Sequence, residues 1–109
     1  MDIDFPNKNH GFSTWVHDLQ LLGVNAPAGT RIIQQCLELA EMLIKKNTSY
    51  GNSALEPVRI FSKAEAKEQL YVRIDDKLSR LMKGTDYPGD NDIDDLIGYL
   101  ILLKIAKSG

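Results

Sequence analysis

The segment from Asp92 to Lys107 constrains this chain more than any other. Wound as a helix, it spreads Ile93, Leu96, Ile97, Leu100, Ile101, Leu103 and Ile105 over most of the wheel. A helix apolar on nearly every side belongs at the centre of a bundle or in an interface. Asp95 breaks the pattern, because it shares its side of the wheel with Tyr99, Leu102 and Ala106. A carboxylate in that position is costly to bury unless something partners it.

The rest of the chain reads as three further helices. Ser13 can cap a short helix through Leu22 with Gly23 as its stop, and Thr30 can cap a second over 31–46. In that second helix Ile32, Ile33, Cys36, Leu37, Ala40, Leu43 and Ile44 keep the 3.6-residue period. Ser62 and Glu65 form a capping box for a third helix ending at Gly84, with Tyr71, Ile74, Leu78, Leu81 and Met82 as its apolar face. Asn91 can cap the fourth, and GTDYPGDN before it reads as a turn. No strand alternation, repeat or low-complexity tract competes. The fold class is all-α: a compact bundle of about four helices, with residues 1–29 as an arm plus short helix and 30–109 as the helical core of a single domain. Trp15 should anchor the first helix on the bundle. Residues 47–61 are long for a helix–helix connection, and either carry function or close one end of the core with their apolar members.

Charge and cysteine usage narrow the function. A net charge of −2 leaves no basic footprint for nucleic acid, and Asp76 sits among Arg73, Lys77 and Arg80 on the one helix face where cations gather. No signal segment opens the chain, and the apolar run near its end is too short and too flanked by charge to span a bilayer, so a cytoplasmic protein is expected. The one cysteine, Cys36, falls on an apolar stripe and reads as a buried thiol in a reducing compartment. His10 and His17 lack zinc-ligand spacing, and neither a GxSxG elbow nor a glycine-rich phosphate loop is present. A helix that needs more cover than 109 residues easily supply points to a homodimer or higher homo-oligomer.

The chemistry lies in the acids. Glu38 and Glu41 are spaced i, i+3, as are Asp92 and Asp95, so each pair projects to one side of its helix. Asp75 falls on the apolar face of the third helix, whereas Glu38 points away from the main stripe of the second. Hard divalent cations take oxygen ligands, and a Mg²⁺ shared between two such helices would resolve the cost of inward carboxylates. Acid pairs at this spacing are also common on solvated faces. Asp92, Asp94 and Asp95 can serve the helix dipole, worth roughly 0.3–1 kcal/mol each, and Asp75 can pair with a lysine or arginine. Lys45, Lys46 and Arg59 are candidates for phosphate, and Tyr50 or Phe61 for stacking on a base. Exposed lysines at a helix end and aromatics closing a core account for the same residues.

ExxE at Glu38 and Glu41, followed by an acid-xx-Asp-Leu helix at Asp92 and Asp95, resembles the MazG-like all-α NTP pyrophosphatase superfamily. The family usually has glutamate where this chain has Asp92. The stretch KKNTSYGNSALEPVRIFSK, with VRIDDKLSRL and DLIGYLILL, also resembles small phage or prophage proteins grouped near nucleotide-modification-associated domains. Together the likenesses cover about residues 30–107. They imply Mg²⁺-dependent hydrolysis of an NTP or dNTP to the monophosphate and pyrophosphate. The metal ligands and catalytic residues would be Glu38, Glu41, Asp92 and Asp95, with Lys45, Tyr50, Arg59 and Asp75 at the nucleotide. Two rivals stand beside that: a nucleotide-binding or sequestering protein without turnover, and a helical interaction module with solvated or salt-bridged acids.

Overall fold

The computed structural model describes residues 5–84 and 91–109. The turn expected at GTDYPGDN falls mostly outside them, as do the first residues of the N-terminal arm. The described residues form α1 (Phe12–Asn25), α2 (Gly29–Ser49), α3 (Ala66–Lys83) and α4 (Asp92–Ser108), preceded by a 3-10 turn at Lys8–His10. No strand occurs among them, so the class is all-α as the periodicity predicts. None of these helices is long and apolar enough to cross a membrane. The chain divides into two compact units, Met1–Ala40 and Glu41–Gly109.

In the first unit Asn7 caps the 3-10 turn, accepting from the Asn9 amide at 2.9 Å. Gly23 does not stop α1. It lies inside the helix and is buried, because α2 begins against it: a Cβ on Gly29 would fall on the Gly23 backbone. The two glycines permit a close approach that any side chain would block. Thr30 is likewise inside α2, which starts at Gly29. Trp15 is half-buried and meets Phe12 edge to face, ring centres 6.2 Å apart. Cys36 is exposed rather than buried, as are Ile32 and Leu37 on the same stripe. Of the stripe that periodicity puts on one face of α2, Ile33 is half-buried beside Gly23, while these three stay exposed.

The second unit is built on α3 packed against α4. Asn91 caps α4 as expected, accepting from the Asp94 amide at 3.1 Å, and Gly84 closes α3 in the left-handed conformation. The Ser62–Glu65 box does not form. Ser62 Oγ instead accepts from the Ala64 amide, and α3 starts at Ala66 without a side-chain cap. Leu70, only 1% exposed, and Leu102 are the buried apolar side chains among the described residues. Burying each fully contributes about 1.5–3 kcal/mol. Gly98 brings α4 close to the C-terminal part of α2: a Cβ there would lie 3.3 Å from Leu43 Cδ1.

Two expected faces are rotated. On α3, Leu70 and Lys77 are buried, while Tyr71, Leu78, Leu81 and Met82 remain exposed. The side of α3 that packs inward carries both Leu70 and Lys77, and Lys77 meets Asp92 and Asp95 of α4 there. On α4, Asp92, Gly98 and Leu102 are buried while Ile93, Ile97 and Leu100 form an exposed stripe. Of the larger apolar residues in the connection 47–61, Leu55 is half-buried and the rest are not. Val58, Ile60 and Phe61 all stand in solvent, Phe61 at 96% exposure.

Candidate functional site

The site lies wholly in the second unit, around the first turns of α4. Lys77 Nζ sits 3.1 Å from Asp92 Oδ1 and 3.1 Å from Asp95 Oδ2, one ammonium shared by two carboxylates. Lys46, from α2, donates to the other oxygen of Asp95 at 2.7 Å. Arg80 Nη1 stands 3.9 Å from Asp92 Oδ1, and its Nε lies 3.4 Å from Asp76. The two lysines differ in surroundings. The Lys77 side chain is 9% exposed and that of Lys46 is 50% exposed. Asp92 is buried, and its Oδ2 has no hydrogen-bond partner.

These pairings set the protonation of the cluster. Burial would raise the Asp95 pKa, but hydrogen bonds from Lys46 and Lys77 outweigh it and hold the carboxyl below its ordinary value. For Lys77, burial pushes the pKa down and the bonds to Asp95 and Asp92 more than restore it, so the ammonium is favoured. Lys46 is raised chiefly by its bond to Asp95. All three groups are charged at neutral pH. The partner that Asp95 requires is therefore supplied by the chain's own ammonium groups.

Beside this cluster lies a cavity of about 240 Å³. Met42, Leu43 and Leu102 line it with apolar surface; Lys46, Asn47, Ser53 and Asp95 contribute polar groups; Tyr50 and Tyr99 present rings. Arg73 completes the wall, its guanidinium carbon 5.9 Å from the centre of the Tyr99 ring. The end of α2 shapes one side. Thr48 Oγ1 bonds back to the Ile44 carbonyl, and the Asn52 amide returns to the Asn47 carbonyl at 3.0 Å. Gly51 and Asn52 both take positive φ, the two residue types that enter this region at least cost. That turn folds Ser53 and Ala54 back beside Tyr50.

Of the residues singled out in the sequence, Asp92, Asp95, Lys46 and Tyr50 come to this region. Glu41 does not join the cluster: its side chain is 66% exposed and pairs with Lys45 at 2.7 Å along the same helix, a bond that lowers its pKa. Glu38 belongs to the first unit and is exposed. Asp75 is exposed on α3. Arg59 is exposed with φ +60° and accepts from Lys63 Nζ through its carbonyl, away from the cavity. Among the described residues, no three histidine, cysteine, aspartate or glutamate side chains converge as a metal-ligand group.

Arg73, Lys77 and Tyr99 carry more of the site than their sequence positions advertise. Lys77 had a legible signal. It lies on one side of α3 with Leu70, Ile74 and Leu81, as Asp95 lies on an apolar side of α4. Two unlike charges stranded in separate apolar stripes call for each other. Comparison with protein-family models, curated proteins and solved structures gives no match to this chain.

Proposed function

We propose that the cavity binds a nucleotide and that the chain is a Mg²⁺-dependent nucleoside triphosphate pyrophosphohydrolase. One observation carries this reading: tyrosine rings, two cationic side chains and an aspartate border the same cavity. Tyr50 and Tyr99 suit stacking on a base, and Lys46 and Arg73 suit phosphate oxygens. They take the place of Lys45 and Arg59, which lie off the cavity. At about 240 Å³ the cavity is smaller than the roughly 300–1,000 Å³ of most ligand sites, so it encloses only part of a nucleotide.

Asp92 and Asp95 would hold the cation. Their donor type suits a hard divalent ion, and Asp92 Oδ2 is a buried acceptor with no partner. When bound, Mg²⁺ would neutralise phosphate charge and lower the pKa of the water that attacks phosphorus. The chain's own residues supply the rest: the rings orient the base, Lys46 and Arg73 draw the phosphates toward Asp95, and Lys77 keeps the two carboxylates together. Water adds to the α-phosphorus, the α–β bridge breaks, and monophosphate and pyrophosphate leave. A second reading, binding without turnover, is favoured by a different observation: both carboxylates already hold ammonium groups.

Homo-oligomerisation belongs to the same proposal. The exposed Ile93, Ile97 and Leu100 stripe supports it, since apolar stripes of this kind mark contact surfaces. The test of function is incubation with each common NTP and dNTP plus Mg²⁺, with products separated by chromatography. Monophosphate and pyrophosphate that disappear in Asp95→Asn are expected. Intact nucleotide together with a nucleotide-induced rise in melting temperature would replace hydrolysis by sequestration. Neither product nor shift would leave the cluster a structural clamp.

A further inference from the structure

We infer that Arg73 is the anion anchor of the cavity, and that the cavity is charge-matched to a nucleoside monophosphate rather than to a di- or triphosphate. This rests on the nucleotide-binding reading above and on none of its metal chemistry. The charges around the cavity carry the argument. Asp95 meets an ammonium at each oxygen, from Lys46 at 2.7 Å and from Lys77 at 3.1 Å. Lys77 also holds Asp92, and Arg80 lies between Asp92 and Asp76. The carboxylates and cations of this group compensate one another, so Lys46 lines the cavity with its charge already answered. Arg73 differs. Among the described residues it has neither a carboxylate nor a hydrogen-bond partner, and its contact is with the Tyr99 ring at 5.9 Å.

An uncompensated guanidinium on the wall suits one phosphate. Contact with a ring leaves its N–H groups able to donate two parallel bonds to a single phosphate. A phosphomonoester carries about −1.5 to −2 charge at pH 7, so the first phosphate already more than answers Arg73. Each further phosphate adds negative charge for which the described lining residues hold no second uncompensated cation, and Asp95 on the same wall opposes it. Size acts in the same direction: a cavity of about 240 Å³ encloses part of a nucleotide, and a monophosphate leaves the least outside. Tyr99 joins the two ends of the ligand, since the ring that meets Arg73 also lines the cavity where a base would stack. If the chain hydrolyses triphosphates, the monophosphate is the product that stays while pyrophosphate leaves. If it sequesters, the monophosphate is the ligand itself.

The test is isothermal titration of the full chain in EDTA, at fixed ionic strength, with each common nucleoside and its mono-, di- and triphosphate. The monophosphate should bind roughly tenfold or more tighter than the bare nucleoside, the usual effect of a hydrogen bond to a charged group. The di- and triphosphate should bind no tighter than the monophosphate. Arg73→Met keeps much of the stem and removes the charge; it should bring the monophosphate down to the affinity of the nucleoside and leave the nucleoside where it was. Arg73→Lys keeps the charge without the fork and should fall between. Lys45→Met, off the cavity at a lysine bonded to Glu41, should change nothing. Affinity that climbs from mono- to triphosphate in the wild type would overturn the inference and leave nucleotide binding standing. So would Arg73→Met that holds the monophosphate as well as wild type does, or that loses nucleoside and monophosphate equally. If nothing binds in EDTA, repeating the titration with Mg²⁺ separates the two failures. Triphosphate bound only with the metal overturns the inference alone, and no binding in either condition removes the nucleotide reading with it.

Discussion

Two acid pairs with the same i, i+3 spacing end up in opposite environments. Asp92 and Asp95 are enclosed and bound to Lys77, while Glu38 and Glu41 stand exposed on α2 with Glu41 answered by a neighbouring lysine along the helix. Spacing is therefore silent about consequence. What separates the pairs is the opposite face: α3 brings Lys77 to the aspartates from 15 residues away in sequence, whereas the Glu41 partner comes from its own helix and brings nothing with it. An ion pair between elements fixes how they pack, and one within an exposed helix fixes very little.

Removing Lys77 should break this contrast most visibly. Lys77→Ala leaves Asp92 buried with no close cation except Arg80 at 3.9 Å, so a loss of about 3–5 kcal/mol is expected by denaturant unfolding. Lys45→Ala, the corresponding deletion at the glutamates, should leave the unfolding midpoint where it was. Equal losses in the two variants would mean that burial at the aspartates counts for nothing.

The same contrast explains what could be read in advance. Helix existence was legible because it rests on local signals: the period of α2, the Asn91 cap and the Gly84 stop all survive in the folded chain. The face each helix buries was legible only in part, since it depends on what other elements bring. Tyr71, Leu78 and Met82 satisfy a helical stripe yet stay exposed, because the side of α3 that packs inward is the one carrying Leu70 and Lys77. Gly23 reads as a stop by type and acts as a contact surface by context. Of the candidate site, Asp95 was readable as an acid in need of a partner. The identity of that partner was not, because Lys46 and Lys77 lie on two other helices and only tertiary packing brings them in.

Asp95 gives the intermediate effect, and pH separates its contributions. Asp95→Asn loses the charge and keeps an acceptor for only one of the two lysines, turning an NH2 donor toward the other, so about 1–3 kcal/mol of stability should go at neutral pH. The Asp95 pKa is lowered by folding, so its contribution is present above the ordinary carboxylate value of about 3.9 and fades as pH falls through the lower folded value. Lys46 and Lys77 are raised, so theirs is complete below about 10.4 and is lost as pH climbs past the folded values. The gap between wild type and Asp95→Asn should be widest between these limits and close at both ends. A gap that stayed constant down to pH 2 would show that the charge of Asp95 contributes nothing.

Glu41→Gln should be the quietest change and the most informative about the acid pairs. Its carboxylate is held below its ordinary pKa by Lys45, but it is so exposed that water answers the charge almost as well, and the melting temperature should not move. Folding therefore cannot confound what the variant does to ligands. If the working set is the aspartate pair with Lys46 and Arg73, Glu41→Gln keeps wild-type Mn²⁺ affinity and wild-type nucleotide turnover while Asp95→Asn loses both. Loss of Mn²⁺ binding in Glu41→Gln at unchanged melting temperature would bring the glutamates back as ligands, and would require α2 to turn Glu41 toward α4 when the cation binds. The side chain that contributes least to the fold is thus the one that best decides how many acids the site uses.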